Sequence, residues 1–207
     1  MLDKQHTIKS SASLSGIGLH TGIPVNMKFL PANPNHGIKF QRIDLEDEPV
    51  VEADVDNVID ISRGTTIEQN RVKVHTVEHI LAAIAGLEID NILIQLDGPE
   101  PPIMDGSSKM FVEALSGSGL EEQNMPRNFF EIPEGVTYKN KEHDIEITAL
   151  PHHDYRVAVM IDYNSPILGN QHASLNNISE FCDEIAGSRT FCFLHELEAL
   201  YKQNLIK

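Results

Sequence analysis

Apolar positions along this chain follow two periods, and its organisation can be read from where each one holds. Residues 25–44 read VNMKFLPANPNHGIKFQRID, two alternating runs around a Pro, Asn and Gly turn, which predicts strand, turn, strand. Residues 144–162, DIEITALPHHDYRVAVMID, repeat that design. Leu30-Pro31 and Leu150-Pro151 each close a β-pattern before a polar turn, and the runs that follow end in Ile43-Asp44 and Ile161-Asp162. A repeat at this spacing predicts a duplicated domain, with chance similarity between two hairpins as the competing reading.

Further runs predict strands near residues 7–13, 65–68 and 89–96, then near 129–132, 145–150 and 156–162. Helical periodicity predicts helices near residues 77–85 and 108–115, a third over 179–186 stopped by Gly187, and a fourth over 195–203. Strands and helices mix without strict alternation, which fits an α+β chain. GSGLEEQNMPRN, residues 117–128, is rich in Gly, Glu, Asn and Pro; it reads as the join between a first domain over 1–122 and a second over 127–207. The chain finishes on KQNLIK without a Gly or Pro stop, and the second domain is thinner than the first, so the sequence is expected to stop inside that domain.

Composition narrows the partners. Lys and Arg number 16 against 31 Asp and Glu, a formal net charge of −15. Such a chain is poorly suited to nucleic-acid backbones, which need cations to displace counterions. An anionic small molecule is still compatible, because local basic groups can override the net field. The two cysteines, Cys182 and Cys192, form no CxxC, and MLDKQHTIKSS has no apolar leader core. A soluble cytoplasmic protein with free thiols and no transmembrane segment is the simplest expectation.

The candidate chemistry sits in VKVHTVEHILAAIAGL, residues 72–87. HTVEH satisfies H-x-x-E-H, a pattern of zinc peptidases in which two histidines hold a metal and a carboxylate activates its water. At ~100° per residue, Val77, Ile80, Leu81, Ile84 and Leu87 form one stripe toward the sheet. His75 and His79 project to the far side with Ala82, Ala83 and Gly86, and Glu78 lies on the flank. Small residues beside a histidine predict close approach of a second helix layer or a ligand. Thr76 is the expected N-cap, with Glu78 in the first turn where the helix dipole favours a carboxylate. A cap at Thr76 places His75 before the helix and loosens the two-histidine clamp, which shifts weight to one histidine ligand. Glu180, Glu184 and Glu196 could each supply the peptidase's third ligand, and spacing singles out none of them.

Four strings in order, GIGLHTG (16–22), TVEHILAAIAGLEIDN (76–91), GPEPPIMDGSS (98–108) and SRTFCF (188–193), resemble the UDP-3-O-acyl-N-acetylglucosamine deacetylase family. These are the zinc hydrolases of the committed step in lipid A, and hence lipopolysaccharide, biosynthesis. The resemblance implies two similar α+β domains in a β-α-α-β sandwich with the site between the helix layers. It implies His79 as a zinc ligand, Glu78 as general base on the zinc-bound water, and Thr190 as donor to the oxyanion, with His75 outside the ligand set. Phe191 and the stripe Leu194, Leu197, Leu200 and Tyr201 resemble the wall of a passage for the substrate's acyl chain, with Phe191 and Leu197 as the contacts carried over. The partner implied is a UDP-linked acylated amino sugar. The turns His20–Gly22 and Met104–Ser107 are read as structural, Gly22 and Gly106 suiting positive φ and Asp105 bonding its own turn.

The family's H-K-x-x-D motif and its later general-acid histidine have no counterpart in these 207 residues. The expectation is therefore a second domain cut before that motif, weak zinc binding through His79 alone, and no turnover by the chain as given. Competing readings are an H-x-x-E-H zinc peptidase and a non-catalytic nucleotide-sugar-binding module.

Overall fold

The structure is a computed structural model that describes residues 3–202. The chain opens with β1 (Lys4–Ile8), β2 (Ala12–Ile17), β3 (Pro24–Pro31), β4 (Ile38–Arg42) and β5 (Val50–Glu52). Next come the short strands β6 (Val58–Asp60), β7 (Thr66–Gln69) and β8 (Val72–Val74), then helix α1 (Glu78–Gly86) and β9 (Ile92–Leu96). Helix α2 (Lys109–Gly117) and β10 (Leu120–Pro126) follow. The later part holds β11 (Val136–Asn140), β12 (Ile145–Ala149), β13 (Val157–Asp162), β14 (Asn170–Leu175) and helix α3 (Leu194–Lys202). The mixture is α+β, as the lack of strict alternation predicts. Residues 203–207, with the end of the fourth expected helix and most of KQNLIK, lie outside the described residues.

Alternation in β3 buries Val25, Met27 and Phe29 and leaves Asn26 and Lys28 exposed. These three join Phe40, Ile92, Ile94 and Leu96 in one core, which α1 closes with Ile80 and Ile84, and α2 with Phe111 and Leu115. The hairpin expected over residues 25–44 does not form. β9 lies between β3 and β4 in a sheet ordered β2-β3-β9-β4-β5. Ile94 faces Phe29 antiparallel on one side and Phe40 parallel on the other. The connecting turn is bonded to the entry of β9 instead: the Gly37 amide donates to Asn91 Oδ1 at 2.9 Å, and the Ile92 amide donates to the Gly37 carbonyl at 3.0 Å. The second expected hairpin also fails to form, for a different reason: β12 pairs with β11 and β13 with β14, in separate two-stranded sheets. Those partner strands, VTYKN and NQHASL, carry too few apolar residues to show alternation.

The run 7–13 is two strands, because the chain leaves one sheet and enters another: β1 pairs with β10, and β2 with β3. The segment expected to be a join is accordingly not an open linker. It contains β10, with Leu120 opposite Ile8 and Glu122 opposite His6. No strand forms at 129–132, and Phe130 is 94% exposed. Just before it, Arg127 is clamped by Glu88 at 2.6 Å and Asp90 at 3.0 Å, and its guanidinium covers the Phe129 ring.

The far side of α1 is also covered. Ala83 and Gly86 are buried, and the cover is a second helical layer. The expected helix at 179–186 is a short 3-10 turn, Ile178–Glu180, followed by a π-helical turn, Phe181–Ile185. Its wide winding, with the Ala186 amide on the Phe181 carbonyl at 2.8 Å, seats the Phe181 ring against Gly86. A Cβ at Gly86 would overlap that ring. Gly86→Ala gains ~1 kcal/mol of helix propensity but should still destabilise the protein by about 2 kcal/mol through overpacking. In urea denaturation the penalty should disappear in a Phe181→Ala background; the same penalty in both backgrounds would mean the ring is not the obstacle.

Candidate functional site

The approach to α1 is set by one strained residue. Thr76 has φ 54°, a left-handed conformation uncommon for a β-branched side chain. Its hydroxyl donates to Glu100 Oε1 at 2.7 Å. On either side, the His75 amide donates to the Pro99 carbonyl at 2.9 Å and the Val77 amide to the Thr65 carbonyl at 3.3 Å. Thr76 is therefore not the N-cap. Val77 occupies that position without a side-chain cap bond, because the left-handed turn aims the threonine hydroxyl at Glu100 rather than at the helix.

Glu100 is 1% exposed. Its carboxylate accepts from the Thr21 amide and hydroxyl, each at 2.8 Å, from the His20 amide at 3.1 Å and from Thr76. Burial pushes its pKa up. The Thr21 amide, the Thr76 hydroxyl and the His20 amide outweigh that and hold the carboxyl below the ordinary glutamate range. The HTG turn, with Gly22 at φ 64° as its sequence implies, is thus an anchor for the carboxylate that fixes Thr76.

Past that turn, Glu78 is the first residue of α1 and His79 the second. Glu78 Oε2 accepts from the Thr65 amide at 2.9 Å. Glu78 Oε1, Thr76 Oγ1 and His20 Nε2 converge on Gly64, where a Cβ would lie 3.4–3.5 Å from all three. Beside them is a cavity of about 250 Å³ lined by His20, Asp60, Ser62, Gly64, His75 and Thr76, among others. His75 stands before the helix, with Nδ1 3.0 Å from the Thr66 hydroxyl. Burial lowers its pKa; Glu100 opposes this, while Lys73 and Arg42 add to it. His75 and His79 do not share a helical face, so the two-histidine clamp is not built.

The MDGSS turn braces the site from the other side. Gly106 has φ 84°, and Asp105 Oδ1 accepts from the Ser107 amide at 3.1 Å and its hydroxyl at 2.7 Å, as a self-bonded turn requires. Ser108 Oγ donates to the His79 carbonyl at 2.9 Å, and the Gly106 carbonyl accepts from the Thr190 amide at 2.8 Å. One short turn therefore holds both His79 and Thr190. Thr190 is exposed and does not cap α3, which starts at Leu194. Phe191 lines a groove of about 730 Å³ with Tyr163, Val159, Ile161, Phe193 and Leu194. Leu197 is half-buried on α3 and is not among the residues lining that groove. Of the other carboxylates considered as ligands, Glu180 accepts from the Asn176 amide at 3.0 Å and Glu196 pairs with Arg63 at 2.7 Å.

A family model for UDP-3-O-acyl N-acetylglycosamine deacetylase matches residues 5–207. The chain belongs to this deacetylase family. It is 49% identical over its whole length to the bifunctional enzyme LpxC/FabZ of Chlorobaculum tepidum, covering 44% of that protein. It is 46% identical over 99% of its length to the enzyme of the same name from Bacteroides thetaiotaomicron, again covering 44%. Against the UDP-3-O-acyl-N-acetylglucosamine deacetylase of Methylococcus capsulatus it is 39% identical over 98% of its length and 67% of the relative's. The chain thus spans less than half the length of the bifunctional relatives.

Membership of the deacetylase family gives the zinc expectation a concrete test. Among the described residues, no group of three or more His, Cys, Asp or Glu side chains is placed to hold one metal ion. His79 offers one donor beside Glu78, so the described donor set does not fit a complete zinc site. The residue missed from sequence is Glu100. Glu100 lies in GPEPP, whose Gly and Pro residues read as a turn, and its burial comes from the distant HTG turn and Thr76 rather than from that local string. Glu100→Gln replaces a charged acceptor by an amide whose NH2 faces donors, and should cost about 2 kcal/mol at neutral pH. A carboxyl with depressed folded pKa stabilises above its unfolded pKa and loses that contribution as pH falls through the folded value. The gap between wild type and Glu100→Gln in urea denaturation should therefore close on acidification; a gap independent of pH would contradict an ionised Glu100.

Proposed function

We propose that the protein is a zinc-dependent deacetylase that hydrolyses the N-acetyl group of UDP-3-O-acyl-N-acetylglucosamine in lipid A biosynthesis. The observation that carries this reading is Glu78 at the start of α1, one oxygen held by the Thr65 amide, beside His79 in a chain of the deacetylase family. Zinc, with His79 as one ligand, would supply the Lewis acidity of this chemistry; the described residues do not complete its site. The Thr65 bond orients Glu78, leaving Oε1 toward Gly64 and able to take a proton from the attacking water. The Thr190 hydroxyl, brought near by its amide bond to Gly106, is the donor for the oxyanion that forms on the acetamide carbonyl.

The groove walled by Phe191 and the β13–β14 hairpin supports an apolar occupant, which we assign to the substrate's acyl chain. Helix α1 between the sheet and the Phe181 layer supports the sandwich arrangement with the site between helices. No helix among the described residues is long and apolar enough to cross a membrane, and the proposed enzyme works in the cytoplasm. The test is acetate release from the UDP-linked substrate by the full-length, zinc-loaded protein. Glu78→Gln should lower kcat by about 100-fold or more with zinc content unchanged, and His79→Ala should lose zinc while His75→Ala keeps it. Failure of the wild type to release acetate would overturn the reading, and equal loss of zinc from both histidine variants would favour the peptidase arrangement instead.

A further inference from the structure

The orientation of Glu78 depends on a loop with an unusual tether. Residues 61–64 connect β6 to β7 and lead directly to the Thr65 amide that holds Glu78. Within the loop, Arg63 has φ 63°, a left-handed conformation that outside contacts must maintain. Its carbonyl oxygen lies 3.2 Å from His20 Nε2. Its guanidinium crosses to α3, where Nη2 meets Glu196 Oε1 at 2.7 Å, a contact between residues 133 apart in the chain.

Glu196 has a second engagement. Its Oε2 accepts from the Phe193 amide at 2.9 Å and so closes the first turn of α3. The carboxylate therefore joins the loop beside Glu78 to the segment that carries Thr190. That segment is fixed to the Gly106 carbonyl through Thr190, and two residues later Ser108 holds the His79 carbonyl. The contacts make a ring around the site: Glu78, Thr65, Arg63, Glu196, Phe193, Thr190, the 106–108 turn and His79. Every link but one is a covalent step or a hydrogen bond to backbone. The exception is the Arg63–Glu196 pair, which is partly exposed at 47% and 25%. A pair in that setting adds little to global stability, so its effect should be local.

We propose that Arg63 and Glu196 are positioning residues for the deacetylation: their ion pair fastens the 61–64 loop across the site and keeps the Thr65 amide on Glu78. The proposal rests on the deacetylase reading for its kinetic consequences, but not for the fastening itself. The full-length, zinc-loaded protein is compared as wild type, Arg63→Gln, Glu196→Gln and the double variant. Gln at 196 retains an oxygen for the Phe193 amide and removes only the charge.

Each single variant should lower kcat about two- to fivefold with KM, zinc content and Tm unchanged, and the double variant should be no worse than either single. Added salt should lower wild-type kcat toward the variants and leave theirs unchanged. Hydrogen exchange at the Thr65 amide should quicken in both singles. Additive losses would overturn the proposal. So would a KM defect in Arg63→Gln with Glu196→Gln neutral or improved, which would make Arg63 a direct contact to the anionic substrate. If the wild type releases no acetate, the deacetylase reading falls, and the exchange measurement still decides the fastening: unchanged Thr65 protection in both variants refutes it.

Discussion

A buried carboxylate organises this part of the molecule. Glu100 is buried and satisfied by donors from the HTG turn and from Thr76. Removing a charge from water is costly unless hydrogen bonds replace the lost solvation. One of those bonds comes from Thr76 in its left-handed conformation, and that backbone sets how the chain enters α1. The entry in turn puts Glu78 and His79 on the first turn and leaves His75 behind. A histidine pair that looks equivalent in sequence is thereby split, with one member beside Glu78 and the other in a cavity wall against Thr66.

Packing carries the arrangement to the later part of the chain. Gly86 admits the Phe181 ring, so a π-helical turn lies close on the far side of α1. The 104–108 turn binds the Thr190 segment and the start of α1 at once. Glu78 and His79 open α1 while Thr190 lies far along the chain; the Thr65 amide holds the Glu78 carboxylate, the Ser108 hydroxyl holds the His79 carbonyl, and the Gly106 carbonyl holds the Thr190 amide. Such mutual fixing holds the three residues in one arrangement, a form of preorganisation.

Much of this was legible from local pattern. The alternation of β3, the apolar stripe of α1 and the positive φ at Gly22 and Gly106 follow from residue type and spacing. The closeness of a second layer was written in Ala83 and Gly86. Pairing was not legible: periodicity says which face of a strand is apolar, but not that β9 inserts between β3 and β4. β10 was hidden because LEEQNMP is polar and sits at a sheet edge beside β1. Thr76 misled for a physical reason: a threonine caps a helix by accepting from its first-turn amides, but here the left-handed backbone and the bond its hydroxyl donates to the buried carboxylate turn that oxygen away from the helix. The family resemblance supplied roles for Glu78, His79 and Thr190. It did not supply Glu100, whose importance is a matter of burial.

The most direct test of this account is the ionisation of Glu100, followed by the 13C shift of its side-chain carboxyl as pH is lowered. Ionisation that persists below the ordinary glutamate range, with Thr76 unchanged, is the result the structure predicts. Titration above that range would mean that burial outweighs the donors. The entry to α1 would then need another explanation.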